Sequence, residues 1–170
     1  WFSDDSFFGR SEPDLLSFAS EYKRRIGDPF YLLGSPGTIT EEKYAALVDA
    51  GLMCIQMGVE HGSPRIQRMF KRSTMGNDKI IKSAEILTKY ADRTAPPQYD
   101  VIYDLAYETT EDKLHTLRLI SQLPKPYRLQ VFSVIYYPGT SLHTIAERDW
   151  LVNDEKAEIY DRMFFERHDS

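Results

Sequence analysis

Apolar positions along this chain gather into five short runs separated by stretches with helical spacing. Phe2 to Phe8 is short and aromatic, is interrupted by Asp4-Asp5, and reads as a strand end turning at Gly9. Ser11 stands before Pro13 and Asp14 as a helix N-cap. Leu15, Phe18, Ala19, Tyr22 and Ile26 then share one helical stripe that ends at Gly27. Phe30 to Leu33 is a second strand. Thr40 predicts the cap of a helix whose opening Glu41-Glu42 suits the positive N-terminus, with Tyr44, Leu47 and Val48 inward and Gly51 at its end. Met53 to Val59 is a third strand, stopped by Glu60-His61-Gly62-Ser63. Ser63-Pro64 opens a short helix, and Asn77 to Tyr90 is a longer one with Ile80, Ala84 and Leu87 inward. Tyr99 to Leu105 is the fourth strand, followed by a turn carrying Asp104 and Glu108. Thr109 or Thr110 caps the next helix, which runs through Leu114, Leu117 and Ile120. Arg128 to Tyr137 is the fifth strand, and from Ser141 on the chain reads as loosely patterned helix with a fraying, charged end.

Strands with a helix between each consecutive pair give the βαβ rhythm of an α/β protein with a parallel sheet and right-handed crossovers. No Gly/Pro/Ser-rich stretch marks a linker, so residues 1–150 read as one unit and 151–170 as a helical extension. Five strands do not close an eight-stranded barrel of about 250 residues. The sheet is expected to be open, either flavodoxin-like or a partial (β/α) TIM-type barrel. Nearly all the loops after strands carry polar residues, as loops facing one shared mouth do, which favours the partial barrel.

Composition narrows the classes. The net charge of −5, with Lys and Arg scattered among acids, argues against broad nucleic-acid affinity. No apolar run approaches the roughly 20 residues of a membrane span, and no secretory signal is visible. The chain opens at Trp1-Phe2 without Met and inside a strand, which reads as a fragment of a longer protein. The single cysteine, Cys54, fits a reducing cytosol, excludes an internal disulfide and excludes a cysteine-only metal cluster built from this chain alone.

Several polar residues admit two roles. Glu60, in GVEHGS, caps the next helix or pairs with an Arg, or faces a ligand admitted by Gly58 and Gly62. Asp4 and Asp5 are turn residues or a carboxylate pair facing a cation. Asp104 and Glu108 are turn and cap residues or strand-end acids. Lys71-Arg72 is solvated loop charge or a clamp on a carboxylate, which the guanidinium fork suits. His61 is the one histidine of four near a predicted mouth, and none has metal-ligand spacing. Cys54 alternates with inward residues and reads as core.

Four segments in order, FSDDSF (Phe2 to Phe7), GVEHGS with KRST (Lys71 to Thr74), YDVIYDLAYETTED (Tyr99 to Asp112) and YYPGTSL (Tyr136 to Leu142), resemble the second, fourth, fifth and sixth strands of the radical S-adenosylmethionine superfamily. The third segment is similar to D-x-I-x-G-L-P-x-E-T, with Asp104 and Ala106 where Gly and Pro are common. Asp104-Leu105 and Pro126-Tyr127-Arg128-Leu129 resemble a subgroup with an upstream cobalamin-binding domain, similar to anaerobic magnesium-protoporphyrin IX monomethyl ester oxidative cyclases.

The resemblance implies a parent enzyme that uses a 4Fe-4S cluster, held by a C-x-x-x-C-x-x-C loop outside this chain, to cleave S-adenosylmethionine to a 5′-deoxyadenosyl radical. It implies that Asp4 and Asp5 approach the methionine amino group, that Glu60 and Ser63 contact ribose or methionine polar groups, and that Arg72 meets the carboxylate. Ile102 and the backbone around Tyr137 then flank adenine. It further implies a small-molecule substrate, a tetrapyrrole being one candidate, cobalamin as a candidate second cofactor, a cytoplasmic location, and an isolated chain that is inactive. The rivals are a divalent-metal-dependent hydrolase or aldolase using Asp4, Asp5, Glu60 and Glu108, a cobalamin-dependent radical methyltransferase, and a non-catalytic interaction module. The upstream part of the same polypeptide is the expected partner, and a truncated barrel is expected to expose an apolar strand edge at Trp1-Phe2 and to self-associate.

Overall fold

The computed structural model describes residues 1–4, 6–72, 75–103, 105, 107–149 and 151–152. Asp5, Asp104, Ser73 and Thr74 of KRST, and nearly all of the expected C-terminal extension therefore lie outside the described residues. Among the described residues, four parallel strands, β1 (Phe30–Gly34), β2 (Leu52–Glu60), β3 (Gln98–Tyr103) and β4 (Arg128–Ser133), form one sheet in the order β1-β2-β3-β4. The helices are α1 (Glu12–Arg25), α2 (Glu41–Ala50), α3 (Pro64–Met69), α4 (Asn77–Thr88), α5 (Thr110–Gln122) and α6 (Ser141–Arg148). Their starts are set locally: the side chains of Ser11, Thr40, Ser63, Thr109 and Thr140 each accept a hydrogen bond from a backbone N–H of the first turn.

Strand alternation divides the sheet into two unlike faces. Leu32, Ile55, Met57, Val59, Tyr99 and Val101 point into one core with Leu15, Tyr44, Leu47, Ile80 and Leu87 from the helices. α1 packs on α2, α2 on α4, and α4 on α5. Tyr31, Gln56, Gly58, Gln98, Asp100, Ile102, Gln130 and Phe132 are only partly buried on the alternate positions. A one-sided helix layer over a parallel sheet is an arc of a (β/α) barrel, and the second face is its concave side.

Two sequence expectations, on the first and last strands, are corrected. The expected first strand shrinks to a single parallel bridge, Phe2 to Leu32, with the Phe2 N–H on the Tyr31 carbonyl at 3.0 Å. The chain then turns through a short 3-10 segment at Phe7–Gly9, because the aromatic rings that resembled a strand pack inward: Phe2 meets Phe7, Phe18, Tyr22 and Phe30. On α5, Leu114 and Leu117 are exposed, while Asp112, Thr116 and Leu119 are buried. β4 stops at Ser133, so Val134 to Tyr137 is a loop on the concave side rather than strand.

Candidate functional site

A cleft of about 490 Å³ opens at the C-terminal ends of β2, β3 and β4. Its walls are mainly apolar, from Ile66 and Phe70 on one side, Ile102 and Leu105 from β3, and Phe132, Val134 and Ile135 from β4 and the loop after it. Glu60, Arg72, Asp100, His61, Gln67 and Tyr137 supply the polar groups. Barrel-type enzymes concentrate their chemistry at this end of a parallel sheet, where side chains from several strands converge.

Glu60 reaches the cleft through an irregular backbone. The β2–β3 register slips between Gly58, opposite Asp100, and Glu60, opposite Val101, so Val59 is an extra residue on β2. A bulge of this kind re-aims the side chains next to it. The His61 N–H then bonds back to the Val59 carbonyl at 2.8 Å, closing a three-residue turn centred on Glu60, whose φ is +64°. For a residue with a Cβ this is the strained form of the turn, costing on the order of 1–3 kcal/mol, and such strain persists where the surroundings over-determine it. The Glu60 carboxylate folds back over Gly58, where an added Cβ would lie 2.7 Å from Oε1. Gly58 thus makes room for the chain's own carboxylate. Gly62, expected to admit a ligand, instead admits α5: a Cβ there would meet the Thr116 Cα at 2.6 Å.

Around that turn the charges are arranged in pairs. Arg72 Nη2 lies 3.5 Å from Glu60 Oε1. Burial pushes the Glu60 carboxyl above its ordinary value, Arg72 opposes the shift, and nearby Asp100 adds to it. Asp100 is likewise raised, chiefly by burial, although Gln56 donates to Oδ2 at 2.5 Å and Gln98 to Oδ1 at 3.5 Å. Tyr31 donates to Gln56, and Gln98 to Gln130, so a belt of hydrogen bonds crosses all four strands below the cleft.

Behind Glu60 is a buried network. His61 Nδ1 accepts from the Ser63 N–H at 2.9 Å, which assigns the ring proton to Nε2, 2.6 Å from Glu108 Oε1. The side chains are 4% and 2% exposed, and Glu108 Oε2 has no hydrogen-bond partner among the described residues, with Lys113 Nζ at 3.9 Å. Ser63 Oγ donates to Asp112 Oδ1 at 2.5 Å, and Arg65 pairs with the same carboxylate and donates to the Tyr107 carbonyl at 2.6 Å. The Arg65 guanidinium, helped by Ser63 and Thr109, holds the Asp112 carboxyl well below the usual range.

Of the sequence candidates, Glu60, Arg72, Ile102 and Tyr137 line this one cleft. Asp4 does not: it pairs with Arg10 at 2.8 Å, an arginine stacked on the Phe7 ring. Ser63 is buried beneath the turn, capping α3. Glu108 is sealed against His61 rather than facing the mouth. Asp4, Glu60 and Glu108 do not converge, and among the described residues no group of three or more His, Cys, Asp and Glu side chains is placed to hold a metal ion. Sequence reasoning missed the amide belt and the His61–Glu108 pair. The belt had a signal, polar residues (Gln56, and Gln98 with Asp100 at period two) inside otherwise apolar strands.

No family model matches the chain, and no curated protein matches it in sequence. Solved structures match its fold. Coproporphyrinogen III oxidase (HemN) from Escherichia coli, a radical SAM enzyme, aligns with a TM-score of 0.65 at 19% identity, over 78% of this chain and 31% of that one. This chain has the fold of a partial (β/α) barrel. Two structures of the radical S-adenosylmethionine methyltransferase TsrM from Kitasatospora setae match it as well. The form with tryptophan and a SAM analogue has a TM-score of 0.57 at 14% identity, over 75% of this chain and 25% of that one. The form with cobalamin and a 4Fe-4S cluster gives 0.53 at 14% identity, over 69% and 25%. The chain spans less than a third of the length of these structures. Among the described residues, no helix of this partial barrel is long and apolar enough to cross a membrane.

Proposed function

We propose that the cleft binds S-adenosylmethionine and that the chain is the cofactor-cradling part of a radical S-adenosylmethionine enzyme. The observation that carries this reading is the juxtaposition of the Glu60–Arg72 pair, 3.5 Å apart, with an apolar wall built from Ile102, Leu105 and Phe132. A zwitterionic amino acid joined to a purine needs this combination: an anion for its cationic end, a guanidinium for its carboxylate, and apolar surface for its base. In this reading Arg72 takes the carboxylate, Glu60 the ammonium or ribose hydroxyls, and Ile102 and the Tyr137 segment hold adenine. Excluding water there strengthens each polar contact.

The 4Fe-4S cluster does not fit this chain's own residues. Cys54 is its single thiol, half-buried on β2 and pushed up by burial, whereas such clusters are held by several thiolates. The cluster's cysteines, and the one-electron reduction of the sulfonium that the cluster supplies when bound, belong in this reading to residues outside the chain. The motifs at Asp104-Leu105 and Pro126 to Leu129 favour a cobalamin-associated, oxidative-cyclase-like subgroup acting on a tetrapyrrole. Likeness of fold to a coproporphyrinogen oxidase and to a cobalamin-bound methyltransferase is compatible with that narrower reading.

Titration calorimetry of the 170-residue chain tests the cradle. S-adenosylmethionine is expected to bind saturably, and Arg72→Met to weaken it about tenfold or more through loss of a charge-assisted contact. Tight binding of magnesium or manganese with no response to S-adenosylmethionine overturns the reading in favour of a metal-dependent hydrolase.

A further inference from the structure

The strained turn at Glu60 needs something to hold it, and the buried His61–Glu108 pair is the group placed to do so. Hydrogen bonds from α3, α4, α5 and the β3–α5 loop converge on residues 61–63. The His61 ring is fixed at both nitrogens, by the Ser63 N–H at 2.9 Å and Glu108 Oε1 at 2.6 Å. Gln67 Nε2 donates to the His61 carbonyl at 2.8 Å, and Asn77 Nδ2 to the Gly62 carbonyl at 2.9 Å. The Gly62 N–H donates to Thr116 Oγ1 at 3.0 Å. Of these partners Glu108 alone comes from the β3–α5 loop, so its bond to His61 ties the end of β2 to the end of β3. With both nitrogens engaged inside the protein, the ring does not present a base to the cleft it lines.

We propose that His61 and Glu108 are positioning residues, which keep Glu60 in its left-handed conformation with its carboxylate over Gly58 beside Arg72, and so set the affinity of the cleft. The inference rests on the S-adenosylmethionine reading for the identity of the ligand, but not for the clamp itself. Without the clamp, Glu60 relaxes to an ordinary negative φ and its carboxylate leaves Arg72. When the relaxed form takes about nine-tenths of the population, apparent affinity falls about tenfold.

Two measurements on the 170-residue chain separate the clamp from its ligand. The first needs no ligand. Glu60→Gly relieves the positive φ, so it raises the melting temperature of the otherwise unaltered chain. In a His61→Phe background the turn has already relaxed, and the same change gives no gain or a small loss. Equal effects of Glu60→Gly in the two backgrounds overturn the clamp. The second is calorimetric: Glu108→Leu is expected to weaken S-adenosylmethionine binding about tenfold, while Glu108→Gln, which still accepts from His61 Nε2, restores it to within about threefold. Binding that is unchanged in Glu108→Leu, or lost equally in both Glu108 variants, overturns the positioning role. Failure of the unaltered chain to bind overturns the ligand reading, and the melting comparison then decides the clamp.

Discussion

Glu60 concentrates the conflict between stability and function in a single residue. Its backbone is strained, its side chain is only 23% exposed, and Asp100 adds a second negative charge nearby. Because the carboxyl is raised above its unfolded value, the folded form holds its proton more tightly. That contribution to stability is fully present below the unfolded value of about 4.3, and is lost as pH rises through the folded value. Glu60→Gln is therefore expected to be the more stable protein at pH 7, by up to about 1 kcal/mol, with the gap closing toward pH 4. Thermal melts of both proteins across that range check it. A gap that widens on acidification rules it out. Sequence reasoning found Glu60 through its place at a strand end between glycines. It misread the glycines, because what Gly58 and Gly62 accommodate, a folded-back side chain and a helix backbone, is fixed only by the fold.

At the scale of elements, the caps were legible and the register was not. Ser11, Thr40, Ser63 and Thr109 bond to N–H groups three residues on, so a few adjacent letters suffice. The bulge at Val59 depends on where β3 lies, a strand that begins only at Gln98, and no local pattern records it. The buried face of α5 is likewise set by partners distant in the chain. Leu114 and Leu117 are exposed, while Asp112 and Thr116 are buried because Ser63, Arg65 and the Gly62 N–H need partners there. Asp112 thereby joins the start of α5, through its capping box with Thr109, to the start of α3. Arg65 is 44% exposed, so solvent screens the pair, and Asp112→Asn is expected to cost about 1–2 kcal/mol at pH 7. The depressed carboxyl gives the sign: its contribution is present above the unfolded value of about 3.9 and is lost as pH falls below it. Urea unfolding at pH 7 and again near pH 3 should show a clear deficit for Asp112→Asn that shrinks in acid. An unchanged deficit at both pH values would assign the cost to packing instead.

For the whole molecule, the decisive feature is a core that thins toward one side of an open sheet. Tyr99 on β3 is fully buried, while its register partner Leu129 on β4 is 43% exposed. β4 is the last strand of the sheet among the described residues, so a row of its backbone groups faces outward beside half-covered apolar side chains. On the other side, the Phe2 bridge and its aromatic cluster cover part of β1. The asymmetry makes the β4 edge the place where a second copy of the chain gains most by pairing, since an unprotected edge strand templates another strand. Sedimentation velocity is therefore expected to show concentration-dependent association at roughly 100 μM, near the millimolar-to-micromolar range of weak contacts. Leu129→Lys places a charge on the edge without touching the concave cleft. It is expected to shift the chain toward monomer while leaving unfolding stability within about 0.5 kcal/mol, as for other surface changes. If the unaltered chain is monomeric throughout, or if Leu129→Lys associates as strongly, the β4 edge is not the contact. Association lost together with stability would instead mean that Leu129 carries more of the core than its exposure indicates.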